Sequence, residues 1–227
     1  MKSIRKIVPG LMLLAAFLVF TLLICYVDVK PIGAAASNVG FASVNKAVNE
    51  LFGAHKTIYK LTEILGYLTW LVVAFFGLLG LSQLVHRKSL FKVDRDIILL
   101  GIGYAVMLVF YVLFDKLPFN YRPKYPWDEG VLEASYPSSH TLMLIFVMAT
   151  AVMQIARRVR SAGQRFALTA VCVAVAAVVT VGRLACGVHW FTDIIGGVLL
   201  AAALAALYHG LINAPEKEPA APTEATE

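Results

Sequence analysis

Residues 192–212 read TDIIGGVLLAAALAALYHGLI and carry no charged side chain between Asp193 and His209. A helix needs about 20 mostly apolar residues to cross a hydrocarbon core of about 30 Å. This stretch therefore predicts a membrane-spanning helix. Five other stretches have the same character and lie at 7–27, 62–85, 97–114, 141–156 and 167–184.

The composition agrees with this interpretation. The chain is 59% hydrophobic and 15% charged over 227 residues, and a soluble domain of this size cannot hide so much apolar surface. We therefore expect an all-α integral membrane protein with six transmembrane helices. Residues 1–213 are predicted to form one membrane domain, with a motif core at about 97–212. The remaining 214–227 segment, rich in Pro, Ala, Thr and Glu, is predicted to be a disordered cytoplasmic tail.

The positive charge is placed in separate short connections, although the formal net charge is +6. Such basic segments mark the cytoplasmic side of a membrane protein. They precede the first stretch and lie between the second and third and between the fourth and fifth. This placement predicts cytoplasmic N and C termini, contacts with membrane lipids and no nucleic-acid partner. The basic residues are Lys2, Arg5, Lys6, Arg87, Lys88, Lys92, Arg95, Arg157, Arg158, Arg160 and Arg165.

Two segments near the N-terminus allow alternatives. The 7–27 stretch follows basic residues as a signal peptide does, but its apolar run is long and no cleavage site follows directly, which favours a retained anchor. In the 28–61 connection, Val44, Val48 and Leu51 recur at helical spacing. This spacing predicts an amphipathic segment that lies in the membrane interface or covers the site, with ordinary loop packing as the alternative.

Ionisable groups beside membrane helices are energetically costly and indicate function. Three such clusters lie in the connections predicted to be extracytoplasmic: 116–123, 137–140 and 183–193. Since all three open on one membrane face, they predict a single site there.

The residue types in these clusters suit a phosphate group. Lys116, Arg122 and Arg183 supply positive charge, and arginine adds planar donors for phosphate oxygens. Ser138 and Ser139 precede an apolar helix, where hydroxyls and free backbone N–H groups favour an anion.

A nucleophile and an acid are also present. His189 and Asp193 are four residues apart, so on a helix they share one face. The carboxylate can hold one imidazole nitrogen protonated and leave the other free to attack. His140 offers a second imidazole that can protonate a leaving oxygen. These parts predict a phosphotransfer site.

Other chemistries compete with this hypothesis. His140, His189 and Asp193 could bind zinc or iron, but three nearby cations repel a metal ion and attract an anion. We therefore expect no metal and no cofactor. A lipid-phosphate binding or transport protein without hydrolysis and a structural membrane subunit are alternatives from other classes. The oriented histidine argues against the first, and the clustered cations argue against the second.

The motifs resemble those of the type 2 phosphatidic acid phosphatase (PAP2) superfamily: Lys-x6-Arg-Pro, Pro-Ser-x-His and Ser-Arg-x5-His-x3-Asp. Residues 137–140 match the second motif in full. Arg183, His189 and Asp193 match the third, with Gly182 in place of the usual serine.

The first motif departs from the family pattern. Arg122 is followed by proline as expected, but Lys116 is six positions before it and Asp115 is seven before it. The long lysine stem can absorb a shift of one residue in a loop, and Lys124 is a conceivable substitute.

The resemblance implies roles for these residues. His189 would form a phosphohistidine intermediate, Asp193 would orient it, and His140 would protonate the leaving oxygen. No metal is implied. The phosphoryl oxygens would be held by Lys116, Arg122, Ser138, Arg183 and the backbone N–H of Ser139.

The resemblance also implies a lipid substrate. Together with the predicted topology, it favours a small bacterial membrane lipid phosphatase whose site opens on the outer face of the cytoplasmic membrane. We expect undecaprenyl diphosphate, cleaved to undecaprenyl phosphate and phosphate. Phosphatidylglycerophosphate and phosphatidate are the alternative substrates.

Overall fold

The computed structural model describes residues 2–124 and 133–215. These residues form seven α-helices, one short hairpin and one 3-10 turn, Leu90–Lys92. The elements are α1 (Lys2–Tyr26), β1 (Lys30–Ile32), β2 (Ser37–Val39), α2 (Ala42–Phe52), α3 (Lys56–Arg87), α4 (Arg95–Lys116), α5 (Ser139–Arg158), α6 (Ala162–Ala185) and α7 (Phe191–Ile212).

Six of these helices, α1 and α3 to α7, are long and apolar enough to cross a membrane. The predicted six-helix membrane fold is therefore confirmed. The helices extend beyond the predicted apolar stretches, because polar residues continue the backbone hydrogen bonding at their ends. The largest extension is in α3, which begins at Lys56 and has 32 residues. At 1.5 Å per residue it is about 48 Å long, so it carries its first turns past the apolar stretch.

Helix α7 lies at the centre of the bundle. It packs against α1, α4 and α5, and Leu200 and Ala201 are fully buried there. Small residues permit the closest approaches, as is usual between membrane helices. A Cβ atom at Gly210 would overlap the Lys6 carbonyl oxygen, and one at Gly197 would lie 2.9 Å from the Ser138 carbonyl oxygen. The second contact fixes the start of α5 against α7.

The segment between α1 and α3 forms a hairpin and then a helix. Strands β1 and β2 pair antiparallel, with Pro31 opposite Asn38. The amphipathic segment predicted from its spacing is present as α2. Its buried side is polar, however: Asn45 Nδ2 donates to Thr192 Oγ1 at 3.0 Å, and the Thr192 N–H donates to Asn45 Oδ1 at 3.1 Å. These two hydrogen bonds hold the beginning of α7 against α2.

The apolar stripe of α2 faces away from the bundle. Val44 is 47% exposed and Leu51 is 78% exposed. This orientation favours a helix that lies in the membrane interface, since an apolar stripe that covered the site would be turned inward.

The helices and strands do not test two further predictions, the disordered tail and the orientation of the bundle in the membrane. Most of the predicted disordered tail, from residue 216 onward, lies outside the described residues. The side of the membrane that each end of the bundle faces stays a prediction. We refer to the end that holds the beginnings of α5 and α7 as the site end, and to the other as the opposite end.

Candidate active site

The three motifs meet at the site end around one cavity. The cavity has a volume of about 220 Å³. The segment after α4, the beginning of α5, the connection from α6 to α7 and the early turns of α3 all contribute side chains to its wall. Its polar lining consists of Tyr59, Glu63, Tyr111, Asp115, Arg122, Glu133, Ser135, Tyr136, Ser139, His140 and His189.

His189 and Asp193 form a close pair, although not in the predicted way. The prediction that both residues lie on one helical face is wrong, because His189 precedes α7 and Trp190 occupies the N-cap position. Asp193 lies in the first turn, and its Oδ2 accepts the Trp190 N–H at 2.8 Å. The same carboxylate oxygen is 3.6 Å from His189 Nδ1. The capping arrangement, rather than helical periodicity, therefore brings the imidazole and the carboxylate together.

Further contacts fix the Asp193 carboxylate in place. Its side chain is completely buried, and Asn120 Nδ2 donates to its Oδ1 at 3.3 Å. The Ser138 N–H donates to the Asp193 carbonyl oxygen at 3.0 Å, which links the beginnings of α5 and α7. A buried carboxylate with donors on both oxygens has a defined orientation and can orient the adjacent imidazole.

The environment of His189 favours the neutral imidazole. The side chain is 2% exposed and lines the cavity. Burial, followed by the nearby charges of Arg122 and Arg183, holds the pKa of His189 well below its usual value. A neutral imidazole has a free lone pair at neutral pH, which a nucleophile requires.

The two motif arginines are buried with unused donors. Arg122 Nη2 is 2.5 Å from Glu133 Oε2, and Arg183 Nη1 is 3.1 Å from Glu63 Oε1. Nε and Nη1 of Arg122 and Nε and Nη2 of Arg183 have no hydrogen-bond partner within the part of the chain that the structure describes. Buried donors are normally satisfied. These four nitrogens are therefore donors that an anion with several oxygens could satisfy.

His140 stands at the beginning of α5, on the wall of the same cavity. Its Nε2 is 3.4 Å from Glu63 Oε1. The side chain is 29% exposed, so it can reach a bound molecule. Its role as the acid for the leaving oxygen stays a prediction.

The two predicted serines differ in placement. Ser138 is fully buried at the N-cap of α5, where its hydroxyl accepts from Thr141 Oγ1 at 3.1 Å. Ser139 is the one that lines the cavity. The hydroxyl of Ser138 is thus used to cap the helix, while the N-terminus of α5 opens beside the cavity.

Lys116 is not brought to the cavity. Its side chain is 76% exposed, and its Nζ is 3.0 Å from Asp115 Oδ2. Asp115 lines the cavity in its place. Both residues belong to the last turn of α4, where adjacent positions differ by about 100° around the axis. A one-residue shift therefore turns the lysine away from the site, and Lys124 is not part of the cavity wall either.

Sequence reasoning missed Glu63 and Asn120. A signal existed for Glu63, because it is the one charged residue in the 62–85 stretch, and intramembrane charges indicate function. Asn120 gave no such signal, since an asparagine in a polar connection is ordinary. Among the described residues, no group of three or more His, Cys, Asp or Glu side chains is placed to hold a metal ion.

The sequence pattern of the PAP2 superfamily matches residues 97–216, which is more than half of the chain. This chain belongs to the PAP2 superfamily. The family identified from the motifs is thus confirmed, and the protein is a multi-pass membrane protein of a phosphatase family.

A solved PAP2 structure has a similar fold. It is that of a transmembrane PAP2-type phosphatidylglycerolphosphate phosphatase from Bacillus subtilis, with a TM-score of 0.65 and 17% sequence identity. The alignment covers 89% of this chain and 94% of that chain. At this identity the likeness shows the fold. No curated protein sequence matches the chain.

Proposed function

We propose that this PAP2 protein is a metal-independent lipid phosphatase that works through a phosphohistidine intermediate at His189. The observation that carries the proposal is the pairing of a buried imidazole with Asp193, beside two arginines that have unused donors. Such a site can bind a phosphate group and attack it.

The geometry supports a two-step reaction. Arg122, Arg183 and the N-terminus of α5 bind the phosphoryl oxygens. Nδ1 of His189 faces Asp193, so Nε2 carries the lone pair that attacks phosphorus. The bond to the leaving oxygen breaks as His140 gives that oxygen a proton.

The second step releases phosphate. Water attacks the phosphorus of phosphohistidine, His140 takes a proton from the water, and the bond between phosphorus and Nε2 breaks. His189 returns to its neutral form, and inorganic phosphate leaves the arginines. In both steps the arginine donors stabilise the charge on the equatorial oxygens.

The substrate we propose is undecaprenyl diphosphate at the outer face of a bacterial cytoplasmic membrane. The basic connections support this, because they lie at the opposite end of the bundle from the site. Phosphatidylglycerophosphate is the second candidate, favoured by the fold shared with the Bacillus subtilis phosphatidylglycerolphosphate phosphatase. Phosphatidate is a third. A binding or transport protein that does not hydrolyse lipid phosphates is the alternative from another class.

Phosphate release by the purified protein in detergent, with a chelator present, tests the reaction. We expect activity to persist with chelator. His189→Ala should reduce it at least about a thousandfold, because the nucleophile is lost. His209→Ala is the matched control, since His209 is an exposed histidine near the other end of α7. Activity that needs added metal, or that survives in His189→Ala, would overturn the proposal.

Relative turnover of the three lipid phosphates tests the substrate. Undecaprenyl diphosphate should have the highest kcat/KM, and a clear preference for phosphatidate would contradict this choice.

Cysteine labelling in intact cells with a membrane-impermeant reagent tests the orientation. A cysteine at Lys46, at the site end, should be labelled, whereas one at Arg160, at the opposite end, should be protected.

A further inference from the structure

Glu63 occupies a position between two groups of the candidate site. Its Oε1 is 3.1 Å from Arg183 Nη1 and 3.4 Å from His140 Nε2. In the proposed function, Arg183 binds a phosphoryl oxygen and His140 protonates the leaving oxygen. A carboxylate oxygen of the protein therefore lies directly beside the donors that the proposal assigns to the phosphoryl and leaving oxygens.

The ion pair between Glu63 and Arg183 compensates the cost of a buried positive charge. Arg183 is completely buried, and its guanidinium carbon is 4.9 Å from the centre of the Tyr59 ring. A buried cation without a counterion is strongly destabilising. In the empty site the Glu63 carboxylate supplies that counterion and holds the guanidinium in its binding position.

Glu63 also has room to move. Its side chain is 36% exposed, and it lines a second cavity of about 270 Å³ in addition to the one that holds His189. This second cavity is bounded by Gly66 and Trp70 of α3 and by residues of α4 and α5. The flexible glutamate stem can rotate toward this space when a phosphate takes its place.

We propose that Glu63 is an internal competitor for the phosphate position, which weakens the binding of inorganic phosphate and speeds its release. The inference rests on the proposed function, because phosphate is the product of that reaction. Once the lipid product has left, the carboxylate returns to Arg183 and displaces the remaining phosphate. Charge repulsion acts in the same direction, since carboxylate and phosphate are both negative.

Removal of the Glu63 charge should therefore change the affinity of the site for inorganic phosphate. Glu63→Gln keeps the shape of the side chain and removes its charge. Arg183 then lacks its counterion, and a phosphate ion meets neither competition nor repulsion. We expect the Kd for inorganic phosphate to fall about tenfold, the size of effect expected for a partly exposed carboxylate paired with a buried cation.

Binding of inorganic phosphate to the purified full-length protein in detergent tests the inference without turnover. The readouts are calorimetric Kd and the rise in apparent Tm on adding phosphate. Glu63→Gln should start from a lower Tm than the wild type and gain more from phosphate. Glu50→Gln is the matched control: Glu50 is exposed on α2, pairs only loosely with Lys46 at 3.8 Å and lies outside both cavities. Its phosphate affinity should equal that of the wild type.

The outcomes separate the two proposals. A purely structural role predicts a lower Tm in Glu63→Gln with unchanged phosphate affinity, and weaker phosphate binding would mean that Glu63 helps to bind the anion. Either result overturns the inference. Tighter phosphate binding in a protein that hydrolyses no lipid phosphate would support the competitor role and reject the proposed function. Hydrolysis with stronger product inhibition in Glu63→Gln would support both.

Discussion

The two ends of the bundle differ in how fully their charged side chains are paired. At the opposite end, Asp96 accepts from Arg158 Nη1 at 2.7 Å and Nη2 at 3.0 Å, and it lies 3.3 Å from Arg157 Nε. Asp94 nearby accepts from Gln83 at 2.8 Å and from Arg87 at 2.7 Å. The arginine hydrogen bond lowers the pKa of Asp94. These charges are matched within the protein.

At the site end, the arginines are more deeply buried yet less well paired. Arg122 and Arg183 each have one carboxylate partner and two nitrogens without a partner in the described residues. Leaving buried donors unsatisfied costs stability, and a phosphate group would satisfy them. The charges of one end therefore satisfy each other within the fold, whereas those of the other end leave donors that the proposed phosphate ligand would satisfy.

Exchange of arginine for lysine at each end should give the strongest contrast between the two ends. Arg183→Lys keeps the charge but loses the planar fork, so kcat/KM for phosphate release should fall about a hundredfold. Arg158→Lys is the matched control and should keep its activity per folded molecule, with a lower apparent Tm. Equal losses of activity in both variants would break the comparison between the ends.

The next effect concerns stability at the opposite end. Asp96→Asn leaves two arginines without a full counterion and should lower the free energy of unfolding by about 3 kcal/mol. Thermal unfolding in detergent measures the change, with Glu50→Gln as the control for an exposed pair. Activity of the folded fraction should persist. An unchanged Tm with lost activity would place a functional role at that end.

A smaller effect is expected from removing the hydrogen bond that Asn120 donates to Asp193. Asn120→Ala removes the donor to Asp193 Oδ1, and loss of one hydrogen bond to a charged group should lower kcat about tenfold. Asn213→Ala, at the opposite end, is the control and should leave kcat unchanged. If Asn120→Ala changed KM alone, Asn120 would act on substrate binding instead of on the nucleophile.

The smallest effect is the dependence of stability on pH. Because the pKa of His189 is lowered in the folded protein, the unfolded chain takes up a proton below about pH 6.5 while the folded protein does not. Stability should therefore fall as pH decreases, by at most about 1.4 kcal/mol per unit from this group. Apparent Tm measured from about pH 7.5 to about pH 5.5 should fall more steeply in the wild type than in His189→Gln. Parallel curves would contradict the buried neutral state.

The sequence predicted the membrane fold well, because the length of an apolar run is a local property that the hydrocarbon thickness determines. The motif spacing identified the family, and four of the predicted site residues line the cavity: Arg122, Ser139, His140 and His189. Local reasoning was wrong where it depended on helix phase. The four-residue spacing of His189 and Asp193 implies a shared face only if both residues are helical, whereas α7 begins after His189. At the end of α4, Asp115 lines the cavity and the predicted Lys116 does not.

The six membrane-spanning helices, the PAP2 superfamily and the types of residue available for chemistry thus follow from the sequence. The groups that support these residues become visible only when the helices are packed. Glu63 reaches Arg183 across 120 residues of sequence, and Asn120 reaches Asp193 across 73. Such partners lie on different segments, and their meeting depends on how the helices pack and rotate against each other. No local pattern of apolar and polar residues encodes that arrangement.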